Sequence, residues 1–288
     1  MRYPSFLSVI ILLLWQHNAG AQGCSDAGFC SIGNLASHGQ QTLGAQQRSL
    51  KLLLPAGVGD EAVFVFTPGL EYTQKLNNHW AVQGKITANY ASGNLGSAFG
   101  AGDVILSGTY SLAPQKIWKH SVTLGVKLPL NQSNLKEGGR SLPMQYQSSL
   151  GTVDFIAGFS LASDRWQFAA GYQQPLTGAN RNSFLPQYWS KPEAAAYPAS
   201  NDFNRRGDVL VRTAYSFQRI RKASLDVGLL GIYHLGEDSY IDGNIQNSAI
   251  AIKGSSGLTL NATALLRVPL GTRWELGLTG AVPLVVRD

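Results

Sequence analysis

The sequence predicts an all-β protein, an antiparallel up-and-down transmembrane β-barrel of about twelve strands. Three observations predict it. Segments of roughly ten residues alternate apolar with polar side chains. Short turns alternate with long loops along the chain. Tryptophans recur just after the short turns.

Residues 79–90, HWAVQGKITANY, show the alternation most clearly. Trp80, Val82, Gly84, Ile86, Ala88 and Tyr90 fall on one face of an extended chain. Ala81, Gln83, Lys85, Thr87 and Asn89 fall on the other. Such a strand has a face for each of two solvents. The pattern recurs in Val122/Leu124/Val126/Leu128, in Val153/Phe155/Ala157/Phe159/Leu161 and in Val209/Val211/Thr213/Tyr215/Phe217. Trp274, Leu276, Leu278 and Val282 repeat it near the end. About eleven such strands fit between Arg48 and Val286, each near the length of a membrane strand. No amphipathic helix is predicted beyond the N-terminal region, and no later segment is a continuous apolar run of membrane-spanning length. If the mature protein sits in a membrane, it does so with strands.

Composition agrees. Of 288 residues 14% are charged, below the roughly 25% of soluble domains, while the hydrophobic fraction of 44% is ordinary. Few charges without an apolar excess suits a surface that meets lipid. The net charge of +6 favours acidic lipid headgroups or anionic solutes. No dense Lys/Arg cluster points to nucleic acid.

The N-terminus reads as an export signal over residues 1–21. Arg2 precedes the apolar run Phe6 to Trp15, and Ala19-Gly20-Ala21 forms an A-x-A cleavage site. Residues 22–47, rich in Gly, Ser and Gln, form an N-terminal segment that either plugs the lumen or stays in the periplasm. Cys24 and Cys30 are the two cysteines, and export predicts a local disulfide between them. Lipidation of Cys24 is the competing fate. Residues 48–288 are assigned to the barrel.

The connections sort by side. Residues 76–79, 162–164, 218–221 and 271–272 are short. Residues 91–100, 131–149, 177–206 and 236–256 are long. Outer-membrane barrels have short periplasmic turns and longer outer loops. Trp80, Trp166 and Trp274 then share one interfacial girdle, and Tyr90, Tyr172 and Tyr233 the other. The Trp80/Val82/Ile86/Tyr90 face is expected to meet lipid. The opposite face is expected to line a wet lumen, with Lys85, Asn89, Lys127, Asp154, Arg212 and Asp226 along the path. Asp208, Arg267 and Glu275 join them by the same alternation. In the loop 177–206, Phe184, Tyr188 and Trp189 are candidates to constrict the lumen or to cap its outer end.

The stretches "HWAVQGKITANYASGNLG" and "GAGDVILSGTYSL", with the leader "AQGCSDAGFC", resemble the outer-membrane barrels of the meta-pathway phenol-degradation-like transporter family. The resemblance covers about residues 48–286. It implies a twelve-stranded barrel and a role in uptake of small solutes, aromatic ones among them. It brings no catalytic residues. The Gly-Asp-Val openings at Gly102 and Gly207, with Gly151 and Gly257 in kindred positions, read as loop exits.

Bacterial single-chain barrels have even strand numbers. A strand from about Arg273 to Val286 would run outward, so a returning strand is expected either to be missed near residues 245–253 or to be absent from the chain.

Chemistry has little support. No G-x-S-x-G, phosphate-binding loop or H-E-x-x-H is present. His234, near Glu237 and Asp238, is the remaining candidate for a lipid hydrolase at the outer lip. No metal or other cofactor is predicted. The leading expectation is a passive outer-membrane channel for small solutes, with outer-membrane lipid as its surroundings. The alternatives are a structural or assembly barrel without transport, and the lipid-modifying enzyme.

Overall fold

In the computed structural model the described residues are 32–36, 48–112, 117–176, 180–220, 223–242 and 248–287. The predicted signal peptide, Cys24 and Cys30 lie outside them. Seventeen strands follow in chain order. They are β1 (Arg48–Leu53), β2 (Ala56–Val58), β3 (Phe64–Phe66), β4 (Gly69–Lys75), β5 (Trp80–Gly93), β6 (Gly96–Ser111) and β7 (Lys119–Pro129). Next come β8 (Lys136–Glu137), β9 (Arg140–Ser141), β10 (Asp154–Ala162), β11 (Trp166–Pro175), β12 (Asp208–Ile220) and β13 (Ala223–His234). The last are β14 (Ser239–Asp242), β15 (Ser248–Ala251), β16 (Gly257–Pro269) and β17 (Glu275–Val285). Among the described residues there is no α-helix; short 3-10 turns interrupt the loops.

Thirteen strands make one antiparallel sheet with the order β1-β4-β5-β6-β7-β10-β11-β12-β13-β16-β17. The short β2 and β3 lie off this path, β3 pairing with the far end of β5. Each wall strand therefore neighbours its successor, the up-and-down arrangement the alternation predicts. β1 and β17 are the edges and do not pair with each other, so the barrel is not closed. Eleven antiparallel neighbours leave the two edges running in the same direction. β17 is exposed along nearly its whole length, Glu275 included. The described part of the stretch near residues 245–253 supplies no wall strand: β15 pairs with β14 in a separate hairpin.

The exterior of this sheet is apolar. Trp80, Val82, Ile86, Leu106, Leu124, Phe155, Phe159, Val211, Leu229 and Leu278 all stand exposed on it. Water would penalise such a surface, whereas hydrocarbon would not. Alternation places the partners of these residues on the concave side, where Asn89, Thr123, Lys127, Asp154, Gln167, Asp208 and Asp226 are buried.

Two expectations about connections need correction. Residues 91–100 are not a long loop. They are the tip of the β5–β6 hairpin, which turns at Asn94-Leu95. Ala91, Leu95 and Ala98 lend that tip to a buried cluster, and this packing extends the strands beyond the membrane-length estimate. Gly102 is likewise not a loop exit. It lies within β6 where the register shifts opposite Thr87, and the Asp103 amide donates to the Thr87 hydroxyl at 3.1 Å. The added residue is absorbed as a bulge.

Candidate functional site

The concave side is built in layers that follow from strand alternation. Along β12 the inward residues are Asp208, Leu210, Arg212, Ala214 and Ser216; along β13, in reverse, they are His234, Ile232, Leu230, Gly228 and Asp226. On β10 they are Asp154, Ile156, Gly158 and Ser160. Arg212 aside, the series reads polar at the long-loop end, apolar at mid-depth and polar again towards the short turns.

The mid-depth layer is where residues 32–36 sit. Ile32 and Leu35 are buried against Ile105, Ile156, Ala169, Leu210, Leu230 and Ile232. Those partners come from five wall strands, so the sheet curls around this short segment. A 3-10 turn, Gly33–Leu35, shapes it. Its backbone is held by side chains of the wall. The Gly33 amide donates to Gln83 Oε1 at 2.6 Å, and Gln167 Nε2 donates to the Ala36 carbonyl at 2.7 Å. Gly33 has φ +47 and faces Thr109 and Thr123, where a Cβ would lie 2.6 Å from Thr109 Oγ1. A side chain there would have neither room nor a relaxed backbone. On the next strand of the same wall, directly across from Thr123, a Cβ on Gly158 would lie 2.5 Å from a Leu35 methyl.

The layer nearer the long loops is charged and paired. One register row runs Lys51, Glu71, Lys85, Ile105, Lys127, Asp154 across six strands. Lys51 Nζ lies 2.8 Å from Glu71 Oε1. Lys127 Nζ lies 2.6 Å from Asp154 Oδ2, with side-chain exposures of 1% and 0%. Gln173 Nε2 also donates to that Asp154 oxygen. Gln173 faces Asp208 across the β11–β12 pair, and Asp208 faces His234 across the next. His234 Nδ1 is 2.7 Å from Asp208 Oδ1, and Nε2 is 2.8 Å from Asp238 Oδ1. Arg205 adds a 3.1 Å contact to Asp208. Closer to the short turns, Ser216 Oγ donates to Asp226 at 2.5 Å and Arg267 approaches it at 3.4 Å.

The candidate path residues thus all face inward, though their settings differ. Lys127 and Asp154 form a dry pair rather than lining water. Asn89 is pinned between Thr67 and the Gln147 carbonyl. Asp226 is tied to Ser216 and Arg267, and Arg212 is buried beside the apolar layer. Lys85 is half-buried opposite Glu71.

Above the charged layer the long loops fold over the opening. Phe184, Tyr146, Tyr197, Leu142 and Leu95 form a second buried cluster, with Trp189 packed against it. The Tyr146 and Tyr197 hydroxyls are 3.2 Å apart. Burial pushes the Tyr197 hydroxyl pKa up, and the bond to Tyr146 adds to the shift. Of the three loop aromatics named from sequence, Phe184 is buried, Trp189 donates its ring N–H to the Ser141 carbonyl, and Tyr188 points outward. Tyr197 is one of the aromatics of the loop 177–206, whereas Tyr146 was not a predicted site residue and neither Ile32 nor Leu35 was singled out within the segment 22–47.

His234 has both ring nitrogens facing carboxylates, so neither is left to accept a proton from a serine. No group of three or more metal-ligating side chains is found among the described residues.

The fold defined by these strands is that of an antiparallel outer-membrane-type barrel. A crystal structure of an outer membrane channel from Pseudomonas putida F1 is similar to this chain, with a TM-score of 0.52 and 12% identity. The match covers 84% of this chain and 87% of that one. No protein-family model and no curated protein matches the sequence.

Proposed function

We propose that the protein is a passive outer-membrane channel for small solutes, in the class the meta-pathway-like resemblance implies, with aromatic or hydrophobic solutes as its candidates. It acts without catalysis and stands here in a closed state. One observation carries this reading. The inward faces of five strands converge on Ile32 and Leu35, in a 3-10 segment whose backbone is hydrogen-bonded by the wall side chains Gln83 and Gln167. A permanent filling would be expected from the wall side chains themselves, whereas a tethered segment can leave. The two hydrogen bonds contribute about 0.5–1.5 kcal/mol each. The burial of Ile32 and Leu35 adds roughly 1.5–3 kcal/mol per side chain. That total suits a stopper that a solute or a loop rearrangement displaces. The fold similarity to an outer membrane channel supports the class. The apolar layer and the aromatic loop cluster support a solute that is not strongly charged.

A second reading has its own observation. The fully buried Lys127–Asp154 pair is what a non-transporting structural barrel would carry in its interior. Conductance separates the two. The refolded mature protein in a planar bilayer should show low, intermittent conductance. Deletion of residues 22–47, which removes Ile32 and Leu35, should raise it to a steady level. Silence from both proteins, with heat-modifiable gel migration showing that both are folded, would reject the channel.

A further inference from the structure

The short-turn rim carries a band of tryptophan with cations set among it. Trp80, Trp118, Trp166 and Trp274 are all exposed there. Three of the rings pack on other aromatics: Trp80 lies 4.9 Å from Tyr110, Trp118 lies 6.3 Å from Phe168, and Trp166 stacks on Phe168 at 5.8 Å with an interplanar angle of 7°. The adjacent turns place Lys75 before Trp80, Lys119 after Trp118, Arg165 before Trp166 and Arg273 before Trp274. Arg48 begins β1 opposite Gln74 and so stands beside Lys75. Arg48, Lys119, Arg165 and Arg273 are exposed and Lys75 is half-buried. None of the five pairs with a carboxylate among the described residues; Arg165 makes a 3.4 Å contact to the Tyr215 hydroxyl. Against them stand Asp164 and Glu275 on the same rim. The long-loop end differs, with Lys136 beside Glu137 and Lys191 close to Glu193.

We propose that this rim is a docking surface for anionic glycerophospholipid headgroups of the leaflet that meets the short turns. Tryptophan rings settle at headgroup depth, where one edge is apolar and the N–H end is wet. A cation next to Trp118, Trp166 and Trp274 in sequence, and Lys75 across the hairpin from Ala81 beside Trp80, is then carried to the level of the lipid phosphates. Arginine can hold a phosphate through two parallel N–H donors, and lysine supplies a point charge. Attraction to an anionic leaflet is about fivefold in affinity per interfacial cation. A mixed-charge rim would show no such preference.

The test uses the full mature protein refolded into vesicles. Tryptophan quenching is compared for brominated phosphatidylglycerol and brominated phosphatidylcholine, titrated against unlabelled phosphatidylcholine at low salt. The expected result is quenching by both lipids and an apparent preference of at least tenfold for phosphatidylglycerol. Replacing Lys75, Lys119, Arg165 and Arg273 together by Gln should bring the preference close to one while quenching by either lipid persists. Should that variant fail to fold, wild-type protein at about 1 M salt, where the screening length is near 3 Å, should lose the preference in the same way. Equal quenching by the two lipids at low salt overturns the proposal. So does loss of the preference on adding millimolar inorganic phosphate at constant ionic strength, which would make the rim a free-anion site. No quenching by either lipid would instead overturn the lipid-facing reading of the wall.

Discussion

The Lys127 ammonium lies 2.6 Å from Asp154 on the neighbouring wall strand, and both side chains are shut off from solvent. Two charges leave water to make this contact, and their attraction roughly repays the desolvation only while both are present. Lys127→Met or Asp154→Leu alone should therefore destabilise the folded barrel by about 3–5 kcal/mol. The double variant Lys127→Met/Asp154→Leu should recover most of that loss. Urea titration of the refolded protein, followed by tryptophan fluorescence, measures all three. Additive losses in the double variant would mean that the two charges do not act as a pair.

Leu35 depends on Gly158 in a way that tests the stopper. Leu35 fills the space a side chain at 158 would need. Leu35→Ala removes buried apolar contact worth about 2–5 kcal/mol, which shifts the seating equilibrium roughly thirtyfold or more. Gly158→Val should evict the segment by filling the space that Leu35 occupies. Both variants should raise mean conductance in planar bilayers. Neither changes a wall hydrogen bond, so the gel shift of the folded form should persist. Unchanged conductance in both would show that residues 32–36 do not gate the path.

How much of this was readable in the sequence depends on the solvent each face meets. The exterior was legible because lipid makes one demand along the full strand. Every second residue of Trp80–Tyr90 or Val122–Leu128 must be apolar or small, and a period of two shows it. The interior was only partly legible. A face that packs against a segment from elsewhere in the chain is no longer uniformly polar. Ile156, Leu210, Leu230 and Ile232 sit on the inward face because Ile32 and Leu35 meet them there. Nothing local to those strands announces that partner. The pairing of Lys127 with Asp154 was hidden for a related reason. It is set by the register of two strands joined by a long connection. A faint signal did exist: apolar residues on both faces of "LVRTAYS" and "VGLLGIY" mark strands whose inner side is dry.

The loop aromatics should separate sharply on substitution. Phe184 is buried and contacts Tyr197 and Trp189 at 6.5 and 6.3 Å between ring centroids. Tyr188, two residues past Pro186, is 60% exposed. Phe184→Ala should cost about 3–5 kcal/mol in loop-cluster stability. Tyr188→Ala should stay within about 0.5 kcal/mol. Limited proteolysis of the loop 180–206 in the refolded protein reads the difference directly. Cleavage should accelerate strongly for the first variant and hardly at all for the second. Equal rates would place the cluster's stability elsewhere, in Tyr146 and Leu142.

The buried Tyr197 hydroxyl gives the loop cluster a pH signature. Burial raises its pKa above the ordinary tyrosine value near 10, and the Tyr146 hydroxyl at 3.2 Å reinforces the shift. A group whose folded pKa is raised contributes its stabilisation fully below the unfolded pKa, and that contribution is lost as pH climbs towards the folded value. Closure of the loops should therefore be insensitive to pH up to about 9.5 and weaken progressively above pH 10, since the unfolded loop gives up the proton first. Tyr197→Phe removes the proton and should flatten this alkaline decline, at a modest cost at neutral pH from leaving the Tyr146 hydroxyl with one partner fewer. The same proteolysis assay run from pH 8 to 11 follows it, with ultraviolet absorbance of tyrosinate as the independent readout. In the folded wild type at least one tyrosine should resist ionisation beyond the pH at which exposed tyrosines titrate. If the Tyr197→Phe protein shows the same alkaline loosening, the effect belongs to another group and the hydroxyl pair does not hold the loops.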